Sequence, residues 1–163
     1  MASGNLTNFD NFKNLGEDYI GRESQLKEIH SYFSKKSNGK PRILIIRAIG
    51  GQGKTQMALE YCRQSQKKYR GIFWLNATSD MTVIGSFEKI ATELELISSE
   101  NLLDASLKIG TVNKTLESWT ERWLMVFDKY DLPEDYPDIK RLIPLSTFYP
   151  TLQILQLSKL RTR

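Results

Sequence analysis

Residues Ala48-Ile49-Gly50-Gly51-Gln52-Gly53-Lys54-Thr55 crowd three glycines and a lysine between two very different segments. Before them, Arg42-Ile43-Leu44-Ile45-Ile46-Arg47 holds a continuous apolar, largely β-branched run. Such a run suits a strand buried on both faces of a helix-covered parallel sheet. After them, Met57, Ala58, Tyr61 and Cys62 fall on one face of a helix. The chain must turn sharply from strand to helix here, and glycine supplies the backbone conformations that such a turn needs. No other segment restricts the fold as tightly.

The same eight residues fit the phosphate-binding loop pattern, with Ala48 in place of its first glycine. Gly50, Gly51, Gln52 and Gly53 would aim successive backbone N–H groups at phosphate oxygens. Lys54 would set an ammonium against the β- and γ-phosphates, and the Thr55 hydroxyl would ligate Mg²⁺. The helix that starts near Lys54 and continues through Gln56 adds unpaired N–H groups and the positive end of its dipole. The bland alternative is a glycine-rich turn with a solvated lysine. The strand before and the helix after argue for the phosphate reading.

The rest of the chain repeats the strand-helix alternation. Leu26, Ile29 and Phe33 mark an early helix, which Ser37-Asn38-Gly39 would end. Gly71–Asn76 and Trp123–Phe127 are predicted strands, and Leu152–Leu157 a fourth. Thr78 or Ser79 can cap a helix bearing Phe87, Ile90, Ala91 and Leu94. A further helix carries Ala105, Ile109, Val112 and Leu116, with Trp119 on the same face, and a short one is predicted over Asp138–Leu142. Alternating elements imply right-handed crossovers, and hence an α/β fold with a parallel sheet. Residues 1–18 are polar and aperiodic, and read as a flexible lead-in to a domain over 19–163.

The 163 residues carry a formal charge of +4, with basic and acidic groups interspersed, so nucleic acid is not the expected partner. Cys62, the single cysteine, excludes an intramolecular disulfide and reads as a small buried apolar residue. His30, the single histidine, reads as a helix-surface residue. No run approaches the ~20 apolar residues of a membrane span, and no signal core opens the chain. A cytoplasmic location follows as the expectation.

Asp128 closes the apolar run that begins at Trp123. In parallel sheets, ligands bind beyond the carboxyl ends of the strands, and a terminal Asp there can hold Mg²⁺. A strand that merely stops at a turn-forming Asp is the plainer reading. The order of the segments, loop first and Asp later, favours the metal. Hydrolysis also requires a group that positions or deprotonates water. Lys129 follows Asp128 and cannot act as a base while protonated, so Asp131 is the nearest substitute, although it reads equally as a turn residue before Pro133.

Four segments in order resemble the NB-ARC nucleotide-binding domain of STAND signalling ATPases, in a fungal NLR-like form. Tyr19-Ile20-Gly21-Arg22-Glu23 is similar to the family's hydrophobic-Gly-Arg-Glu motif, and the resemblance implies that Ile20, Gly21 and Arg22 help hold adenine. On its own, Gly21-Arg22-Glu23 is also an ordinary helix start. The loop followed by Gln56-Met57-Ala58-Leu59-Glu60-Tyr61, the segment Ile72–Ala77, and Trp123–Asp131 complete the match. The resemblance implies a three-layer P-loop NTPase fold, bound ADP or ATP with Mg²⁺, a nucleotide-dependent switch, other protein chains or domains as partners, and a role in signalling or innate immunity.

The departures are specific. Lys159 stands where the family has an arginine that senses the γ-phosphate, and keeps the charge without the bidentate fork. The family's fifth strand, which would flank Arg42–Arg47, has no counterpart, and this leaves an open hydrophobic edge or a partial domain as the expectation. Two other readings compete with the ADP/ATP switch of slow or absent hydrolysis. One is a degenerate module acting as an interaction scaffold, and the other is a small P-loop kinase. A GTPase is disfavoured because Asn113-Lys114-Thr115-Leu116 puts leucine where a base-reading carboxylate belongs.

Overall fold

The computed structural model describes residues 6–7, 21–36, 39–96, 104–131 and 152–159. Five strands run parallel in one sheet: β1 (Leu6–Thr7), β2 (Arg42–Ala48), β3 (Gly71–Asn76), β4 (Trp123–Asp128) and β5 (Leu152–Lys159), in the order β1-β3-β4-β5-β2. Four helices connect and cover them: α1 (Glu23–Ser34), α2 (Lys54–Ser65), α3 (Asp80–Glu93) and α4 (Ala105–Glu117). Parallel neighbours need crossover connections, and α3 and α4 supply the one between β3 and β4.

Side-chain alternation along β3 and β4 builds the two faces. Ile72, Leu124 and Val126 pack with Leu26, Ile29 and Phe33 of α1 and with Met57, Ala58, Tyr61 and Cys62 of α2. Phe73, Leu75, Met125 and Phe127 pack with Val83, Phe87 and Ile90 of α3 and with Ile109, Val112 and Leu116 of α4. Three layers result, with every residue of β4 buried. Local signals agree with this plan. Ser79 accepts from the Thr82 N–H while the Thr82 hydroxyl accepts from the Ser79 N–H, a capping box that starts α3. Trp119 lies past the end of α4 yet is buried, and the Arg70 guanidinium sits 4.2 Å from its ring centre.

Two expectations change. The strand before the glycine loop is not buried on both faces: Leu44 and Ile46 pack toward α1 and α2, whereas Ile43 and Ile45 are 38% and 45% exposed. β2 is an edge strand beside β5, and α3 and α4 cover the sheet at β3 and β4 instead. Among the described residues β2 has no outer neighbour. The lead-in, for its part, contributes Leu6–Thr7, which pairs with Gly71–Ile72 at the opposite edge. Two residues are too few to show a period. Ile20, the segment Asp138–Leu142 and most of 1–18 lie outside the described residues.

No described helix is long and apolar enough to cross a membrane. Cys62 is fully buried, and burial pushes its thiol up, as a small core residue requires. His30 bridges α1 and α2, with Nε2 2.9 Å from Gln64 Oε1 and its ring tilted against Tyr61.

The two faces of the sheet make opposite predictions. Met125→Ala empties a fully buried site and is expected to cost about 2–5 kcal/mol. Ile45→Lys, on the exposed edge, should change stability by no more than about 0.5 kcal/mol. Urea denaturation of both variants measures the contrast.

Candidate functional site

The loop between β2 and α2 takes its shape from two left-handed glycines, Gly51 at φ 79° and Gly53 at φ 69°. A Cβ at either would meet nothing within 4 Å, so conformation, not space, demands glycine there. Gly53 is the N-cap of α2 and no side chain caps the helix. The N–H groups of its first turn are therefore left for an outside acceptor. Lys54 folds its ammonium back over the loop and donates to the carbonyls of Ala48 at 3.0 Å and Ile49 at 3.2 Å.

β4 brings Asp128 to the same place. The Thr55 hydroxyl donates to its carboxylate at 3.2 Å and 3.4 Å, a contact between residues 73 positions apart. Asp128 is 8% exposed. Burial pushes its carboxyl above the usual range, against the Thr55 hydrogen bond and the nearby Lys129 charge, which pull the other way. A hydroxyl and a carboxylate side by side are hard oxygen donors of the kind Mg²⁺ takes, with phosphate and water completing its shell.

After Asp128 the chain reverses. Lys129 adopts φ 61°, the Asp131 N–H donates to its carbonyl at 2.9 Å, and the Tyr130 N–H donates to Leu157 O at 3.0 Å. This turn returns Asp131 to the wall of a cavity of about 200 Å³, lined by the loop from Gly50 to Gln56 with Asp128, Lys129, Asp131 and Leu157. That volume suits a phosphate tail better than a whole drug-sized molecule. A larger groove of about 420 Å³ lies between α1 and β2, bordered by Glu28, Tyr32 and Arg47, but it holds no residue of the loop. Chemistry, not size, singles out the smaller one.

Gly50, Gly51, Gln52, Gly53, Lys54, Thr55, Gln56, Asp128 and Asp131 thus share one cavity. Gly21 and Arg22 do not line it. They form a left-handed turn, φ 99° and 62°, at the start of α1. Lys159 ends β5, in register with Ala48 at the root of the loop. Lys129 and Leu157 were not read as site residues. Lys129 enters through the turn after β4 and Leu157 from β5, which the sheet order sets beside β4.

No protein-family model matches the chain, and no curated protein does either. Among solved structures, the crystal structure of Cdc6p from Pyrobaculum aerophilum is similar, with a TM-score of 0.62 at 15% identity. The match covers 90% of this chain and 41% of that one, so the chain spans less than half the length of its structural neighbour. The likeness establishes the architecture: the chain has an α/β, three-layer P-loop NTPase fold.

Asp128 also sets a pH dependence. Its folded-state carboxyl holds its proton more tightly than in the unfolded chain. The native state therefore binds more protons as the pH falls through that window, and ionisation above it costs stability. Asp128→Asn removes this cost while leaving a polar partner for Thr55. The variant should be more stable than the wild type at neutral pH, with the gap closing on acidification. Urea midpoints taken across pH test this, and a gap that widened toward acid would reverse the sign.

Proposed function

We propose that this chain binds ADP or ATP with Mg²⁺, as the nucleotide-binding part of a STAND-type signalling protein that hydrolyses ATP slowly or not at all. One observation carries the reading. The left-handed glycine loop, the Lys54 ammonium and the Thr55–Asp128 pair converge on a single cavity.

In this reading the loop N–H groups and Lys54 neutralise the phosphates, while Thr55 and Asp128 hold the metal, whose bound charge offsets that of the β- and γ-phosphates. Lys54 exchanges its two carbonyl partners for phosphate oxygens, so that both partners of the bond are charged. Adenine as the base, a switch between ADP and ATP, and a place in cytoplasmic or immune signalling rest on the resemblance of the ordered segments. Protein partners also belong to this reading, since one small domain offers few places to store a second state. Slow turnover follows from Lys129, a cation beside Asp128 where a water-activating acid would serve, with Asp131 the remaining carboxylate on the wall. The competing scaffold reading draws on the exposed Ile43 and Ile45 of the edge strand.

Denaturing the purified protein and chromatographing the released small molecules is expected to reveal ADP or ATP. Lys54→Ala should reduce affinity for labelled ADP by about a hundredfold, the upper range for hydrogen bonds to a charged group. Asp128→Ala should leave ADP affinity largely intact and abolish the Mg²⁺ dependence of ATP binding. A preparation that releases no nucleotide and ignores added ADP sinks the proposal in favour of the scaffold. GTP that competes as well as ATP removes the adenine assignment alone.

A further inference from the structure

Lys129 combines an exposed side chain with a constrained backbone. It follows Asp128 directly, lines the same cavity as the glycine loop, and adopts φ 61°, a conformation that a long side chain seldom takes. Backbone of this kind persists where its surroundings hold it, and it gathers at functional sites. Here both flanks are held: before it, the Asp128 carbonyl accepts from the Ala77 N–H, and after it, Tyr130 is 5% exposed with its N–H on Leu157 and the Asp131 N–H on the Lys129 carbonyl. No hydrogen bond or ion pair ties the Lys129 ammonium among the described residues, whereas Lys54 is tied to two carbonyls.

We propose that Lys129 is a second phosphate-binding cation, which makes the cavity prefer a nucleoside triphosphate over the diphosphate. This rests on the nucleotide reading of the same site. In a phosphate loop, backbone N–H groups cradle the inner phosphates, and a metal held by the Thr hydroxyl and the strand-end Asp bridges β- and γ-oxygens. The terminal phosphate then belongs on the Thr55–Asp128 side of the cavity, where Lys129 stands one residue beyond the acid. A diphosphate presents no group there. A triphosphate presents a doubly charged one, and the ammonium meets it without displacing Lys54 from the inner phosphates. The same cation repels an approaching metal, so its contribution is largest when the γ-phosphate is present to shield the pair.

Two variants separate charge from folding. Lys129→Gly removes the ammonium and accepts the left-handed conformation readily, so the fold should hold. Lys129→Arg keeps the charge. Titration calorimetry with Mg²⁺, using ADP and a non-hydrolysable ATP analogue on the full chain, provides the readout. Lys129→Gly is expected to weaken the triphosphate analogue roughly tenfold and ADP less than twofold, the size of one hydrogen bond to a charged group. Lys129→Arg should retain the wild-type preference. Equal losses for both nucleotides, or none for either, would overturn the proposal for Lys129 while leaving nucleotide binding in place. A wild-type chain that binds neither nucleotide would overturn both.

Discussion

The contact from the Thr55 hydroxyl to the Asp128 carboxylate forms only if β2 and β4 end at one level with β5 between them. β5 runs parallel to both, with Ala48 opposite Lys159 and Phe127 opposite Gln156, so the two strands end within about two residues of one another. That level is set by the cores, not by the contact. A hydrogen bond of this kind contributes about 1 kcal/mol net. Each fully buried side chain of β4, such as Leu124, Val126 or Phe127, contributes roughly 1.5–3 kcal/mol, with partners on two helical layers. The apolar layers hold the polar ends in place, and the site inherits their precision.

Two buried acids are satisfied to different degrees. Glu60 is 4% exposed, yet Arg63 grips it at 2.6 and 2.7 Å and Gln64 at 2.6 Å, and the Arg63 hydrogen bond holds its carboxyl below the usual range. Asp128 is about as buried and has a hydroxyl and a flanking ammonium to offset the loss of water, so burial prevails and pushes it upward. One carboxylate is fully satisfied by its own helix. The other is under-compensated in the folded chain, together with three left-handed residues, Gly51, Gly53 and Lys129, on the same cavity wall. Proteins keep local conflicts of this kind where function needs them.

The glycine loop, the buried β4 and the helix faces were legible because each follows from period or turn chemistry within a few residues. Ser79 as a cap and the burial of Leu26, Ile29 and Phe33 follow from the same logic. The half-exposed β2 was not legible, because Ile43 and Ile45 look like core residues until the strand order shows that α3 and α4 lie elsewhere. Sheet order is a non-local property. α1 partly protects that edge: the Tyr32 hydroxyl donates to Ile43 O at 2.6 Å, and the Arg42 guanidinium lies 4.6 Å from the Tyr32 ring centre. An edge carbonyl taken by a side chain is one fewer group offered to a foreign strand. In the site, the loop and both acids were readable from spacing, whereas the turn that brings Lys129 to the cavity beside Leu157 of β5 rests on a hydrogen bond between β5 and Tyr130.

Roles within the cavity also bear on turnover. A general base works best when its proton affinity is raised toward the working pH, and burial is the usual means. Asp128 is the carboxylate that burial pushes upward, but the Thr55 contact commits it to the pair that would hold the metal. A carboxylate bound to a cation cannot also accept a proton from water. The position that follows, which could carry a second acid, carries an ammonium, and Asp131 reaches the wall only after the chain has reversed. The cavity therefore gathers two lysines, Lys54 and Lys129, around the glycine loop, while its buried carboxylate is already engaged by Thr55. Under the proposed nucleotide reading, this arrangement favours holding a phosphate tail over activating water.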